Sequence, residues 1–475
     1  MKLLTELFDY QRAAVEKLSH VKVGALYMEM GTGKTRTALE LIQRRLDAGK
    51  VWQVLWLCPY SVQRDLPELL AEHAQGFEPG IRIAGIESLS SSLRLWQELR
   101  EYVQVASTYL VVDESLLVKN PFAYRTERII DISRKCSYKL ILNGTPISRN
   151  EADLFAQWYI LDWRILGYQS YYSFSANHLE MDPERPGRVA RVLNTDYLAR
   201  KIAPYTYQCS KDDVLDLPSK IRHDRPFWLT DAQEAHYSDA SEILLGMVDE
   251  MKPETIYRLF GALQGITSGF YVDFSTDKQH CSFSPLLSPE NNPRIKALQK
   301  VLQEIGAEQA VIYCHYTQEI MDIMDVLGDK ALPFYGDLSP QQRQANKTDF
   351  RAGKVQYLVA NKSCAQFGLN LQFCNHEIFY NNDWDWGTRA QAEDRLHRAG
   401  QTKDVHIYDI YARDTLDATI LRCLDKKERM SDLFKSEVSS HNKESLKQKL
   451  RAAMLGHLDK EGEENGKDLP TKKCI

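Results

Sequence analysis

The sequence predicts an α/β fold of two parallel-sheet domains with helical insertions between them, and three observations carry that expectation. Short apolar runs alternate with helix-patterned segments from the start of the chain to about residue 150. The alternation fails from Glu151 to Glu290, and it resumes at Asn292-Pro293 and continues to about residue 430. Strand, crossover helix and strand in repeated order build parallel sheets covered on both faces. At 475 residues the chain has room for two or three cores, and 43% apolar with 26% charged residues is an ordinary globular composition. The expected division is a first domain over 1–150, a helical insertion and connection over 151–290, a second domain over 291–430, and a charged, partly disordered tail over 431–475.

The first domain is organised around Leu26 to Thr37, read Leu-Tyr-Met-Glu-Met-Gly-Thr-Gly-Lys-Thr-Arg-Thr. An apolar run from Val21 to Tyr27 precedes its glycines, and a helical pattern from Thr37 to Leu46 follows. That order makes a phosphate cradle, because the free N–H groups of a helix N-terminus face the anion. Gly31 and Gly33 would let the backbone approach phosphate oxygens. Lys34 would reach the β and γ phosphates, and the Thr35 hydroxyl would sit on a magnesium ion. The strict pattern has glycine where Met28 stands, so this loop is a variant of it.

Ahead of the cradle, Leu7-Phe8-Asp9-Tyr10-Gln11 opens a helical pattern with Ala14, Val15 and Leu18 on one face. The Gln11 amide presents a donor and an acceptor together, as the adenine edge requires. Beyond the cradle, Val51 to Cys58 reads as a buried strand ending at Pro59-Tyr60-Ser61, and Tyr109 to Val112 as another ending at Asp113-Glu114-Ser115. Seen alone, such an acidic pair is a solvated turn. Downstream of a phosphate loop, Asp113 acquires a use in holding magnesium, and Glu114 in orienting or deprotonating the attacking water. A further strand, Lys139 to Leu142, runs into Asn143-Gly144-Thr145-Pro146-Ile147, a tight turn whose small polar groups can sense a phosphate.

In the insertion, aromatics at 158, 159, 163, 168, 171 and 172 recur at helical spacing and read as core rather than as a platform for stacked bases. The second domain has strands at Ala310 to Cys314, Gln356 to Ala360, Glu377 to Tyr380 and Val405 to Tyr411, with no phosphate loop of its own. It carries instead the run Gln391 to Gln401, in which Arg395 and Arg398 stand three apart. On one helical face, that guanidinium pair would suit the charge growing on a transferring phosphoryl group. In the tail, Leu446, Leu450, Met454 and Leu458 recur every four residues and predict one amphipathic helix, with disorder from Glu461 to Ile475.

Composition narrows the function classes. No run of eighteen apolar residues occurs, and Glu6 and Asp9 interrupt the amino end before a signal core can form, so the reading is an intracellular, soluble protein without a membrane partner. Nine cysteines without a closely spaced pair fit reduced thiols and argue against a zinc module. The net charge of −5 lowers the expectation of a nucleic-acid partner without excluding it, since basic residues can line one groove while acids cover the opposite face.

With these residues collected, the chain resembles the superfamily 2 helicase-like ATPases, and specifically the Swi/Snf type of DNA translocase, from about Leu7 to Lys427. Tyr10-Gln11 are similar to the adenine-reading element, Met30-Gly31-Thr32-Gly33-Lys34-Thr35 to motif I, and Cys58-Pro59-Tyr60-Ser61 to motif Ia. Asp113-Glu114, with Lys119-Asn120 following, resemble motif II, and Asn143 to Ile147 motif III. The stretch Pro204 to Lys220 looks like the brace of this family. Ile312 to Thr317 resemble motif IV, Gly336 with Arg343 and Phe350 the element after it, Gly368-Leu369-Asn370-Leu371 motif V, and Gln391 to Gln401 motif VI, the most specific signal. The sequence departs from the family pattern at Ser115, at Ala365-Gln366, at Asp385-Trp386 after Trp384, and at Tyr207-Gln208, where the brace usually has two arginines. These departures touch the coupling between hydrolysis and movement rather than ATP chemistry.

The resemblance implies two RecA-like lobes, ATP and Mg2+ as cofactors, and DNA, double-stranded or branched, as partner. Tyr10, Gln11, Met30 to Thr35 and Gln391 would bind ATP; Lys34, Asp113, Glu114, Arg395 and Arg398 would carry catalysis; Thr35 and Asp113 would hold magnesium. Strand contacts would come from Pro59, Tyr60, Ser61, Glu87, Ser88, His315, Tyr316, Thr317, Gly368 and Asn370, largely through backbone amides and hydroxyls to phosphate. Movement along duplex DNA is the main expectation, with branch migration at forks and junctions as its alternative. An RNA helicase would share the engine but not the brace and motif VI. A binding protein without turnover would be expected to lack Glu114 or an arginine, and a structural protein would leave Lys34, Asp113, Arg395 and Arg398 unexplained.

Overall fold

The computed structural model describes residues 1–76, 80–144, 147, 150–181, 189–246, 253–274, 281–362, 371–426 and 443–457. By their contacts they fall into two compact units, Met1–Leu217 and Pro218–Ile475.

The first unit is built on strands β1 (Val23–Met28), β2 (Gln53–Cys58), β3 (Ile81–Gly85), β4 (Thr108–Val112), β5 (Tyr138–Asn143) and β6 (Thr206–Cys209). Their order in the sheet is β6-β1-β5-β4-β2-β3, with every neighbouring pair parallel. The central strands are buried on both faces, which is why their sequences are continuous apolar runs instead of alternating ones. Helices α1 (Asp9–Leu18) and α2 (Lys34–Asp47) cover one face, burying Ala14, Val15 and Leu18 of the first and Ala38, Leu39, Leu41 and Ile42 of the second. Helix α3 (Ala152–Leu166) packs on the other face through Leu154, Phe155, Trp158 and Leu161. Of the aromatics expected in the core, Trp158 is fully buried, Tyr159, Trp163, Tyr168 and Tyr171 are partly buried, and Tyr172 is 76% exposed.

The second unit contains β7 (Lys220–Phe227), α4 (Asp231–Gly246), α5 (Pro253–Ser268), β8 (Ala310–Cys314), α6 (Thr317–Leu327), β9 (Ala331–Phe334), β10 (Tyr357–Asn361), β11 (His376–Phe379), α7 (Trp386–Glu393), β12 (Val405–Ala412), α8 (Leu416–Asp425) and α9 (Lys443–Met454). Its sheet, also six-stranded and parallel, runs β7-β12-β11-β8-β10-β9. The fold class is therefore α/β with two parallel-sheet lobes. Residues 151–290, expected as one insertion and connection, are shared: α3 through β6 belong to the first unit, and β7 onward to the second.

A buried cation ties the second unit together. Arg294, with no exposed surface, donates to the Tyr380 carbonyl at 2.7 Å and to Thr267 Oγ1 at 2.9 Å and pairs with Asp417. Because a guanidinium in an apolar core is costly unless every donor is met, these partners hold α5, β11 and α8 in one arrangement. Among the described residues no helix is long and apolar enough to cross a membrane.

The expected tail helix is α9. Leu450, Ala453 and Met454 pack with Tyr237, Phe260, Leu263, Leu416 and Ile420, whereas Leu458 and the segment expected to be disordered lie outside the described residues. The buried Tyr237 hydroxyl fastens this contact, donating to the Met454 carbonyl at 2.8 Å and accepting from the Leu416 amide at 2.9 Å. Tyr237→Phe strands both backbone groups at a cost of about 1–3 kcal/mol. Hydrogen exchange should show faster exchange confined to α9 and the start of α8, with the sheet unaffected.

Candidate nucleotide site and strand-contact loops

The turn from β1 into α2 places Gly31 at φ 80° and Gly33 at φ 82°, in the left-handed region. A β-carbon on Gly33 would stand 2.2 Å from the Gln11 amide nitrogen, so both backbone angle and space require glycine there. Gln11 is buried under the loop, where Nε2 donates to the Thr32 carbonyl at 2.9 Å and Oε1 accepts from the Phe8 amide at 3.0 Å. The Tyr10 hydroxyl donates to the same Thr32 carbonyl at 3.0 Å. These two residues, expected at the adenine edge, brace the phosphate loop itself in this structure. Met30 is partly exposed, and Thr35 lies in the first turn of α2, which begins without a side-chain cap. The first N–H groups of that helix are the donors an anion would take. Lys34 Nζ donates to the Met28 carbonyl at 2.8 Å and to that of Glu29 at 3.4 Å, so the ammonium rests folded over its own loop.

Asp113 and Glu114 leave the end of β4. The Asp113 amide donates to the Leu57 carbonyl at 2.7 Å, and Asp113 Oδ1 accepts from the Glu114 amide at 3.0 Å. Glu114 is held at φ 50° and ψ 57°, a conformation costing a residue with a side chain about 1–3 kcal/mol. Burial, followed by the neighbouring Glu114 carboxylate, pushes the Asp113 carboxyl up to about 7, with Lys34 opposing. A carboxyl lifted by desolvation and a second carboxylate, with a lysine as its opposing cation, suits a divalent ion. Asp113 and Thr35 fit the oxygen chemistry of magnesium.

Sequence reasoning missed two contacts around this site. The buried Ser115 hydroxyl donates to Gln157 Oε1 at 2.6 Å and lies 3.5 Å from Asn143 Nδ2, joining the ends of β4 and β5 to α3. The brace forms the edge strand β6 beside β1, and Glu29 of the phosphate loop clasps its end: the Lys211 amide donates to Glu29 Oε2 at 2.7 Å, and the Glu29 amide to the Cys209 carbonyl at 3.1 Å. Tyr207 and Gln208 lie in this strand, next to Leu26 and Tyr27.

Backbone amides of the expected strand-contact turns, those of Tyr60, His315 and Tyr316, donate to side-chain carboxylates of the chain itself. Tyr60, at a short turn after Pro59 and beside Ser61, is 57% exposed and donates its amide to Glu87 Oε2 at 2.8 Å, and Ser88 starts the next short helix. In the second unit the His315 and Tyr316 amides donate to Glu319 Oε2 at 2.9 and 3.0 Å, and Thr317 opens α6. Burial, then the Lys362 ammonium, pushes the His315 imidazole down from its ordinary value. Gly368, Asn370, Thr145 and Pro146 lie outside the described residues.

One expectation needs correction. Arg395 and Arg398 do not share a helical face, because α7 ends at Glu393 and both arginines lie in the turns that follow; Gln391 is in its last turn. Tertiary anchors pull the chain out of helix there: a His397 ring nitrogen bonds the Pro218 carbonyl at 2.8 Å, Gln401 Nε2 donates to the Cys374 carbonyl at 2.9 Å, and Gly400 takes φ 99°. Glu393 gathers Lys220, Arg222 and Arg389, each at 2.9 Å.

Residues 63–268 match the family described as SNF2-related domain, and residues 293–400 the helicase conserved C-terminal domain. The two matches in series support a Swi/Snf-type, superfamily 2 helicase-like ATPase. Human TATA-binding protein-associated factor 172 is 25% identical over 422 residues, covering 76% of this chain and 22% of that protein. The Bacillus subtilis protein described as uncharacterized ATP-dependent helicase YqhH is 23% identical over 460 residues, covering 89% of this chain and 78% of its own length. The Sulfolobus solfataricus SWI2/SNF2 ATPase core in complex with dsDNA has 22% identity, 95% coverage of this chain, 98% of that chain and a TM-score of 0.41. The SNF2-related match begins at residue 63, beyond the glycine loop of residues 30–35. Lys34→Ala should abolish ATP turnover and leave the melting temperature near that of the parent, since Lys34 packs in no core. Gly33→Ala should weaken nucleotide binding by displacing Gln11, measurable by titration with a fluorescent ATP analogue.

Proposed function

We propose that this protein is a DNA-dependent ATPase that couples hydrolysis to movement along duplex DNA. The observation that carries the reading is the Lys34 ammonium resting on the carbonyls of its own glycine loop, in the electrostatic reach of an acidic pair whose Asp113 carboxyl is lifted by burial. Phosphate oxygens would replace those carbonyls, and magnesium would supply the positive charge that Asp113 lacks. Glu114 then orients or deprotonates water. Tyr10, Gln11, Met30 to Thr35 and Gln391 hold the nucleotide, and Arg395 and Arg398 answer the charge that grows on the γ-phosphate. The SNF2-related and helicase C-terminal matches support ATP as the fuel. The turns at Pro59 to Ser61, Glu87-Ser88 and His315 to Thr317, with Gly368 and Asn370, contact strand phosphates and read no sequence. The first domain grips nucleotide, and the second supplies the arginines.

Glu114→Gln should keep ATP binding and lose hydrolysis, because the amide preserves size but cannot act as a base. Arg395→Ala and Arg398→Ala should each lower kcat far more than they weaken ATP binding, since their partner charge develops in the transition state. Movement itself is tested with a third strand annealed as a triplex on a linear duplex and, separately, a mobile four-way junction. Triplex release with an untouched junction supports translocation. Junction movement without triplex release replaces it with branch migration, and unwinding of a blunt linear duplex contradicts both.

A further inference from the structure

A continuous line of buried hydrogen bonds crosses the second unit, from the turn after β8 to the end of α7. It starts at Glu319, which is 1% exposed. As the third residue of α6, Glu319 forms a capping arrangement with the chain entering the helix, and that role occupies only Oε2, which takes the His315 and Tyr316 amides. Its other oxygen faces inward and accepts from Asn381 Nδ2 at 2.7 Å and Ser268 Oγ at 2.7 Å. Asn381 has no freedom to turn over, because its Oδ1 accepts from Gln264 Nε2 at 3.1 Å. Gln264 Nε2 also donates to the Asn382 carbonyl at 2.6 Å. The Asn382 amide oxygen then accepts from Arg389 Nη1 at 2.9 Å, and Arg389 Nε donates to Glu393 Oε1 at 2.9 Å. Glu393 is the last residue of α7, two before Arg395.

We propose that Glu319 and Asn381 are positioning residues that report the state of the His315–Thr317 turn to the segment carrying Arg395 and Arg398, so that strand binding raises ATP turnover through them. The inference rests on the functional reading above. Its physical basis is direction: Glu319 accepts from Asn381, Asn381 accepts from Gln264, and Asn382 and Glu393 accept from Arg389, while the Gln264 Oε1 on the far side of that amide takes no hydrogen bond among the described residues, in an interior where an unmatched polar group is costly. A turn whose amides shift to meet phosphate oxygens loosens one Glu319 oxygen, and the shift passes along the line through Asn381, Gln264 and Asn382 to Arg389.

The test is a double-mutant cycle on the full chain, reading the ratio of kcat with saturating duplex DNA to kcat without it, alongside KM for ATP. Glu319→Gln leaves an amide nitrogen facing Asn381 Nδ2, donor against donor, and Asn381→Asp leaves two carboxylates in contact. Each single variant should cut stimulation by about tenfold while basal kcat and KM for ATP stay within about twofold of the parent. The double variant Glu319→Gln with Asn381→Asp restores a donor facing an acceptor at every link, including the bond from Gln264, and should recover most of the stimulation. Ser268→Ala removes a bond to the same Glu319 oxygen and a longer one, at 3.2 Å, from Asn381 Nδ2, but leaves the Asn381–Glu319 link in place and should leave stimulation intact, which separates transmission from general loosening.

Single variants with parental stimulation, a double variant no better than the singles, or basal and stimulated rates falling in parallel would each overturn the proposal while leaving a DNA-stimulated enzyme. A parent chain whose turnover duplex DNA does not change would instead overturn the functional reading beneath it, and this inference with it.

Discussion

Parallel alignment of β1, β5 and β4 is the constraint on which the candidate site depends. In a parallel sheet all strands end on the same edge, so the residues just beyond their carboxyl ends are brought together whatever their distance in sequence. Tyr27 pairs with Asn143 and Val112 with Ile141, which sets the phosphate loop, the Asn143 turn and the Asp113-Glu114 pair along one edge. The buried Ser115 hydroxyl, between Asn143 and Gln157, ties two of those ends together from below. The strands hold these groups in register, while Lys34, on the first turn of α2, rests on backbone carbonyls that, in the proposed function, phosphate oxygens would replace.

The same edge logic gives the brace a physical role. As β6 it completes the sheet beside β1, and its last residues are clasped by Glu29 from inside the phosphate loop. The next strand in the chain, β7, belongs to the second unit, where Lys220 and Arg222 meet Glu393. Tyr207 and Gln208 occupy the strand itself, and their ladder bonds to β1 come from the backbone, which is indifferent to the side chains standing there.

Much of this was legible in the sequence because buried parallel strands write continuous apolar runs. Ala310–Cys314 was bounded to the residue, and the other central strands to within two residues at either end. The edge strands Ile81–Gly85, Thr206–Cys209 and Ala331–Phe334, and the half-exposed Lys220–Phe227, were not, since short strands with a partly exposed pattern carry too few apolar residues to stand out from a loop. The arginine pair failed differently: spacing of three implied a helical face, and long-range anchors through His397 and Gln401 ended the helix first. Glu319 had a local signal, a glutamate at the third position of a helix, but its inward partners Asn381 and Ser268 lie 62 and 51 residues away and leave no local trace.

Whether the site serves a DNA motor is tested most directly by the rate of ATP hydrolysis measured with no nucleic acid, single-stranded DNA, linear duplex, forked DNA and RNA at equal nucleotide concentration. A DNA motor of this kind should show a slow basal rate raised most strongly by duplex or forked DNA and little by RNA. Turnover that is indifferent to all of them, or raised most by RNA, would contradict that role.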